Sequence, residues 1–370
     1  MGEGRERGGT VICLIFISDL PHHSFDAGPY KLYISSMTKP EVIAPAGNLA
    51  SLRAAVDSGA DAVYLGFSDS TNARNFEGLN FTPEELEDGI KYIRSKGRKF
   101  FVAINTFPQG EAVPKWYKAV DLAMELRADA VIIANIGVLD YARKRYPDAN
   151  LHLSTQASSS NYESINFYKK HFGIKRVVLP RVLTVDEIKH LKERTDVEIE
   201  VFALGGLCIN IEGRCYLSSF VTGASTNTEG ACSPSRFVRF ISDPTGGMSI
   251  TLNNMTLNKL GKNESSPYPT CCKGRYTRPD GNYAYVFEDP ESLNVLQILP
   301  ALMDAGVAAL KIEGRQRTKT YVAAMTGVLR NAVDSCFKDA SAYRVRPEWS
   351  AKTVATFEGT SETLGSYLVK

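Results

Sequence analysis

Residues 41–67 read EVIAPAGNLASLRAAVDSGADAVYLGF, and this stretch decides the fold. A β-rich run, EVIAPA, gives way to an amphipathic stretch of helical period and then to a second β-rich run, DAVYLGF. That is a βα unit followed by its next strand. The alternation continues through KFFVAINTF, AVIIANI, NLHLSTQA, RVVLPR and IEVFALG, and returns far downstream in AALKIEG. Eight strands of this kind predict a TIM-type (β/α)8-like barrel rather than a doubly wound open sheet. Two intervening helices carry start signals, Thr82-Pro83-Glu84-Glu85 and Thr184-Val185-Asp186-Glu187, each a hydroxyl cap followed by acidic residues.

The barrel is expected over 37–340, with a long cysteine-bearing insertion at 208–290 after strand seven and a polar C-terminal tail at 341–370. The insertion is rich in Gly, Ser, Thr, Asn and Pro and loses the helical period, which predicts a functional or metal-bound loop without regular structure. Residues 1–36 read as a leader. Arg5 and Arg7 precede a short apolar run there, but no small-residue cleavage site follows, and Met37 is the expected true start. On that reading Cys13, His22 and His23 take no part in the chemistry.

At 370 residues and 44% hydrophobic, the chain has the size and composition of a globular enzyme. Its net charge of +2 excludes the broad basic field that nonspecific nucleic-acid binding requires and leaves only a local basic groove open, and no nucleic-acid partner is expected. No apolar run is long enough to span a bilayer. Seven cysteines, an odd number spread unevenly, suit a cytoplasmic protein that uses thiols for metal or redox work.

Cys208, Cys215, Cys232 and Cys272 are separated by six, sixteen and thirty-nine residues. Zinc knuckles pair thiols two to four residues apart, so this spacing differs from a finger or ribbon. An iron–sulfur cluster, a zinc site of unusual spacing and reduced structural cysteines all remain open on spacing alone.

The segment EVFALGGLCINIEGRCYLS, residues 200–218, resembles the signature of the collagenase-like peptidase family, with a departure at Gly206, where Ser or Ala is commoner. More narrowly, TNARNFEGLNF, VAINTF, STQAS, RVVLPRVL, GACSPSRFVR, YPTCCKGRY and LKIEGRQR are similar to the branch of that family that serves ubiquinone biosynthesis. The resemblance implies a [4Fe–4S] cluster on Cys208, Cys215, Cys232 and Cys272, with Cys271 as an adjacent thiol able to substitute. It also implies a heterodimer with a UbiV-like sister subunit, a UbiT-like lipid carrier, and oxygen-independent hydroxylation of a prenylated quinone precursor. Related hydroxylating members depend on prephenate as oxygen donor.

In such a barrel, reactive groups sit where strands end. Those ends carry Arg74, Asn105, Asn135, Gln156 and Arg181, then Lys311, Glu313 and Arg315 after strand eight. Together they predict a common mouth for an anionic, hydrogen-bonding ligand, with arginines as carboxylate forks. Arg214 and Arg236 join the candidate substrate-binding residues because each neighbours a cysteine, where it could equally neutralise a cluster. Lys311 and Glu313 are the candidate catalytic pair. For each residue singly, a structural role stands beside the functional one: Asn105 and Gln156 as turn caps, and Glu313 in a salt bridge with Lys311 or Arg315.

Two rival functions share the motifs. Proteolysis lacks His-Glu-x-x-His and Gly-x-Ser-x-Gly, and outside the leader the only histidines are His152, His171 and His190. The other rival is RNA hydroxylation by the same barrel, against which near-neutral charge and the lack of an added RNA-binding domain weigh.

Overall fold

The computed structural model describes residues 38–358 and 361–368, so the expected leader lies outside it. Seven parallel strands follow in chain order: β1 (Glu41–Pro45), β2 (Ala62–Leu65), β3 (Lys99–Ile104), β4 (Ala130–Ile133), β5 (Leu151–Leu153), β6 (Arg176–Val178) and β7 (Glu198–Gly206). Strand Ala309–Ile312 pairs in parallel with both β7 and β1 and closes the barrel. Helices α1 (Leu49–Asp57), α2 (Pro83–Ser95), α3 (Val113–Glu125), α4 (Ile136–Arg145), α5 (Tyr162–Phe172) and α6 (Val185–Lys192) connect the staves. The TIM-type barrel read from the sequence is the fold.

Both expected helix starts are capping boxes, in which the Thr82 and Thr184 hydroxyls accept from Glu85 and Glu187 while those carboxylates reach back. Each such cap is worth about 1 kcal/mol. Behind the α2 cap, Leu86 and Ile93 are fully buried, one turn-pair apart on one face. Each contributes about 1.5–3 kcal/mol by leaving water.

The insertion departs from expectation. It holds short helices α7 (Leu217–Thr222) and α8 (Thr226–Glu229), an antiparallel sheet of β8 (Val238–Ser242), β9 (Met248–Leu252) and β10 (Met255–Leu260), and a hairpin of β11 (Arg275–Thr277) and β12 (Tyr283–Tyr285). Turn chemistry explains the sheet. Asp243 accepts from the backbone of Thr245 and Gly247 at the first turn, and Asn253 takes a left-handed φ of 53° at the second. Leu252, Leu257 and Cys271 form a small separate core there, with Leu217 and Val221 packed on it. Strand β13 (Glu291–Asn294) then runs antiparallel to the end of β7.

After α9 (Leu299–Asp304), β14 (Ala309–Ile312) and α10 (Lys319–Lys338), the chain does not trail off as a polar tail. Helix α11 (Pro347–Val354) starts on a proline, strand β15 (Ser361–Thr363) pairs with β13, and the buried Tyr367 hydroxyl donates to the carbonyl of Phe202.

Inside the barrel, Ile43, Tyr64, Phe101 and Ile132 fill the centre. Toward the strands' N-terminal end, Arg176 bonds Glu41 and Glu198 at 2.7 Å each and Glu200 at 3.2 Å, and Lys311 bonds Glu200 at 2.7 Å. Burial alone would raise Glu200, but Lys311 and Arg176 bring it down to about 2, so it stays ionised.

Candidate functional site

A cavity opens at the C-terminal ends of the barrel strands, where the insertion folds over the mouth. Its wall includes Cys208, Cys215, Cys232, Cys271 and Cys272 together with Arg74, Asn105, Gln156, Arg181, Lys311, Glu313 and Arg315. The barrel side of the wall is apolar, from Ala103, Ile132, Val178 and Phe202.

Cys208 follows β7 directly, Cys215 precedes α7, and Cys232 follows α8, so one chain reversal returns two thiols to the wall. Gly213 makes that reversal feasible: it has φ of 82°, and a Cβ there would stand 2.1 Å from the Gln156 carbonyl oxygen. Burial pushes the Cys208 thiol up to about 11 and Cys272 up to about 12, and it raises Cys232 as well. None of these is the depressed thiol of a cysteine nucleophile. Among the described residues, no three His, Cys, Asp or Glu side chains stand close enough to share a single metal ion.

The two adjacent cysteines differ. Cys271 packs in the insertion's own core, its thiol directed to the Leu217 carbonyl at 3.9 Å. Cys272 is 3.2 Å from the Thr270 hydroxyl and is not part of that core.

Arg74 sits in the loop after β2 with φ of 87°, and its Nε donates to Glu313 at 3.2 Å. Burial works against its charge, yet Glu313 and the thiols of Cys232 and Cys208 hold its pKa above the ordinary value. Burial would raise Glu313, but Arg74 and Arg181, with hydrogen bonds from Gln316 and the Gly206 N–H, hold it below the usual carboxylate range. The expected Glu313 salt bridge therefore exists, but with Arg74 in place of Lys311 or Arg315. Arg181 donates to Glu212 at 2.8 Å and lies 4.3 Å over the Phe202 ring. Lys311, already bonded to Glu200, sits 3.7 Å over the ring of Tyr64.

Asn105 ties loops together: its Oδ1 accepts from the Ala73 N–H at 2.8 Å and its Nδ2 donates to Ser154 at 3.1 Å. Gln156 stays on the wall. Asn135 instead caps α4 through the Gly137 and Val138 N–H groups. Arg214 and Arg236 do not join the cavity. Arg214 is exposed, and Arg236 turns outward to Glu229 at 3.4 Å. Arg214 adjoins Cys215 and Arg236 lies four residues after Cys232, and neither position carries its side chain to the cavity wall. Among the described residues no histidine lines the cavity; His152 is buried in the barrel against Phe101, and His190 bonds its own helix at Asp186.

Several wall residues had no sequence signal. Tyr268 places its hydroxyl 4.0 Å from the Cys232 sulfur, and Lys273 is buried 3.6 Å from Glu358, a residue assigned to the tail. Tyr64 and Glu212 likewise read as ordinary strand and loop residues. Buried polar atoms without a hydrogen-bond partner gather on this wall: Thr155 Oγ1, Glu212 Oε2, Lys273 Nζ, Arg315 Nε and Gln316 Oε1. Such atoms are rare in finished interiors and mark a surface completed by something else.

Residues 47–367 match Peptidase family U32. The chain belongs to this family. Among similar U32 proteins, tRNA hydroxylation protein P1 of Bacillus subtilis is 31% identical over 331 residues, covering 87% of this chain and 72% of the relative. tRNA hydroxylation protein P of Escherichia coli is 32% identical over 322 residues, covering 80% and 68%. A collagenase of Porphyromonas gingivalis is 29% identical over 306 residues, covering 80% and 66%. Among the described residues, no helix of the U32 chain is long and apolar enough to cross a membrane.

Proposed function

We propose that this U32 protein is the iron–sulfur subunit of an oxygen-independent hydroxylase that acts on the ring of a prenylated ubiquinone precursor. The observation that carries the reading is the convergence of Cys208, Cys215, Cys232 and Cys272 on the same cavity wall as the Arg74–Glu313 pair. Relatives named for RNA hydroxylation support the reaction class. The sequence segments similar to the ubiquinone-biosynthesis protein UbiU favour the quinone ring over RNA.

The donor set fits a [4Fe–4S] cluster. Four thiols line one cavity, and thiolates in that number are the donors an iron–sulfur cluster takes. Cys272 serves as fourth ligand because Cys271 is packed into the insertion's core. Bound there, the cluster would supply electron transfer, since four protein thiolates leave no open iron.

The chain's own residues have separable roles. The apolar wall of Ala103, Ile132, Val178 and Phe202 receives an aromatic ring. Glu313, ionised and facing the cavity, is placed to take up a proton from a bound ligand. Arg74 fixes that carboxylate and faces the cysteines. Prephenate, a dicarboxylate, fits as oxygen donor to a cavity lined by cations. A UbiV-like sister subunit and a UbiT-like carrier would deliver a substrate whose tail the barrel interior, already filled by side chains, cannot take.

The test is an anaerobically grown deletion strain. A block at ring hydroxylation, relieved by the wild-type gene and not by Glu313→Ala, supports the reading. Normal quinone with a missing hydroxylated nucleoside would favour the RNA reaction of its relatives, and accumulation of undigested peptide with normal quinone would favour proteolysis.

A further inference from the structure

The charged residues of the cavity wall balance one another with one exception. Arg74 has Glu313, Arg181 has Glu212, Lys311 has Glu200, and Lys273 stands 3.6 Å from Glu358. Arg315 has no acid. Its Nη1 donates to two neutral amides, Asn72 Oδ1 at 2.8 Å and Asn80 Oδ1 at 3.2 Å, and its Nε is buried without a partner. The residue is only 3% exposed. Among the described residues it forms no ion pair with a carboxylate.

The pocket for this side chain is built. Gly66 has no Cβ because one would stand 2.5 Å from Arg315 Nη1, and Gly47 leaves room for the Arg315 carbonyl, which a Cβ would meet at 2.0 Å. Asn72 is held in turn by donating to the Phe67 carbonyl at 2.6 Å. A guanidinium fixed this firmly, stripped of water and left without a counter-charge is costly in an isolated protein. Compensation of the cysteines does not account for it. Arg74 and Arg181 feel Cys208, whereas burial is the first influence on Arg315, and Glu313, the acid that acts on it, is bonded to Arg74.

We infer that Arg315 is the anion anchor of the cavity: a small-molecule carboxylate binds with its oxygens on the free edge of this guanidinium and supplies the counter-charge the protein withholds. The planar fork of an arginine matches a carboxylate in two parallel hydrogen bonds. Asn72 and Asn80 fix the opposite edge, so the ligand's direction of approach is set before it arrives. The site separates two duties among the cavity's cations: Arg74 and Arg181 hold protein carboxylates, and Arg315 holds the ligand's. The choice of a carboxylate over phosphate rests on the hydroxylase reading above; the anion site itself does not.

The experiment is equilibrium binding by calorimetry on anaerobically purified full-length protein, with prephenate, benzoate and inorganic phosphate as separate probes. Wild type, Arg315→Lys and Arg315→Met are compared, and iron content and melting temperature without ligand are recorded for each. The expected result is carboxylate binding that weakens by about tenfold or more in Arg315→Met and less in Arg315→Lys, with iron unchanged. The melting temperature of ligand-free Arg315→Met should hold or rise, because an uncompensated buried charge has been removed. Equal carboxylate binding by wild type and Arg315→Met overturns the inference. So does a wild type that binds phosphate and neither carboxylate, or one that binds none of the three. Iron-free protein with Arg315-dependent binding would sink the hydroxylase reading and leave this one standing; iron-replete protein whose binding ignores Arg315 would do the reverse.

Discussion

The two ends of the barrel treat buried charge in opposite ways. At the N-terminal end, Arg176, Glu41, Glu198 and Glu200 close into one network that reaches Lys311 on the cavity wall, and every charge in it has an opposite partner at 2.7–3.2 Å. At the C-terminal end, Thr155, Glu212, Lys273, Arg315 and Gln316 each keep a buried polar atom without a hydrogen bond. Buried charged residues occur at both ends, Glu200 at one and Arg315 at the other, so burial alone does not separate structure from function here. Unmet hydrogen-bonding capacity does: the charges of the network are all paired, whereas the wall keeps unpartnered polar atoms, the feature on which the proposed ligand site rests.

The largest effect is expected at the mouth. Cys272→Ala should lose nearly all bound iron, whereas Cys271→Ala should keep it and lose about 1 kcal/mol of stability by thinning the insertion's small core. Iron analysis and denaturant titration of the two variants check this, and a reversed pattern would make Cys271 the ligand.

At the closed end, Glu200→Ala should cost about 3–5 kcal/mol, because Lys311 and Arg176 lose the acid between them. Urea titration measures it. A loss below about 1 kcal/mol would erase the contrast between the ends.

Acid sharpens the comparison further. Burial lowers His152 from 6.5 to about 3, with Arg176 adding to the effect, so the folded ring stays neutral where the unfolded one protonates. Stability should therefore fall as pH drops from about 6.5 toward 3, by up to about 1.4 kcal/mol per pH unit for this one proton. Glu200, depressed from 4.5 to about 2, contributes stability above pH 4.5 that is lost as pH falls toward 2. His152→Leu should flatten the upper part of this decline and leave the lower part. Melting temperature against pH for the two proteins is the check; parallel curves would refute the assignment.

The smallest effect belongs to Asn135. Its side chain caps α4, so Asn135→Ala should cost about 1 kcal/mol and leave iron content unchanged. Loss of iron in this variant would place Asn135 at the site after all.

Much of this was legible in the sequence because period-bearing segments report their own geometry. The eight staves and both capping boxes follow from alternation and spacing, whereas the grouping of the four cysteines was implied by the family resemblance. The antiparallel sheet of the insertion was signalled by Asp243-Pro244-Thr245-Gly246-Gly247 and by Asn253-Asn254, turn residues outweighed in the reading by a polar composition. The misplacement of Arg214 and Arg236 has a different cause. Adjacency to a cysteine says nothing about direction where no helix or strand sets the side-chain period. Pairings such as Arg74–Glu313 and Arg181–Glu212 join residues far apart in the chain, and only the closed barrel brings them together. Glu358 reached the wall from a segment whose polar composition hid a helix and a strand.

The central claim is an iron–sulfur cluster at the open end, and the most direct measurement is iron and sulfide analysis of wild-type protein purified without oxygen, with a visible absorption spectrum. The account predicts about four irons and four sulfides per chain and a brown protein. A folded, colourless protein that carries stoichiometric zinc, or no metal, would contradict it.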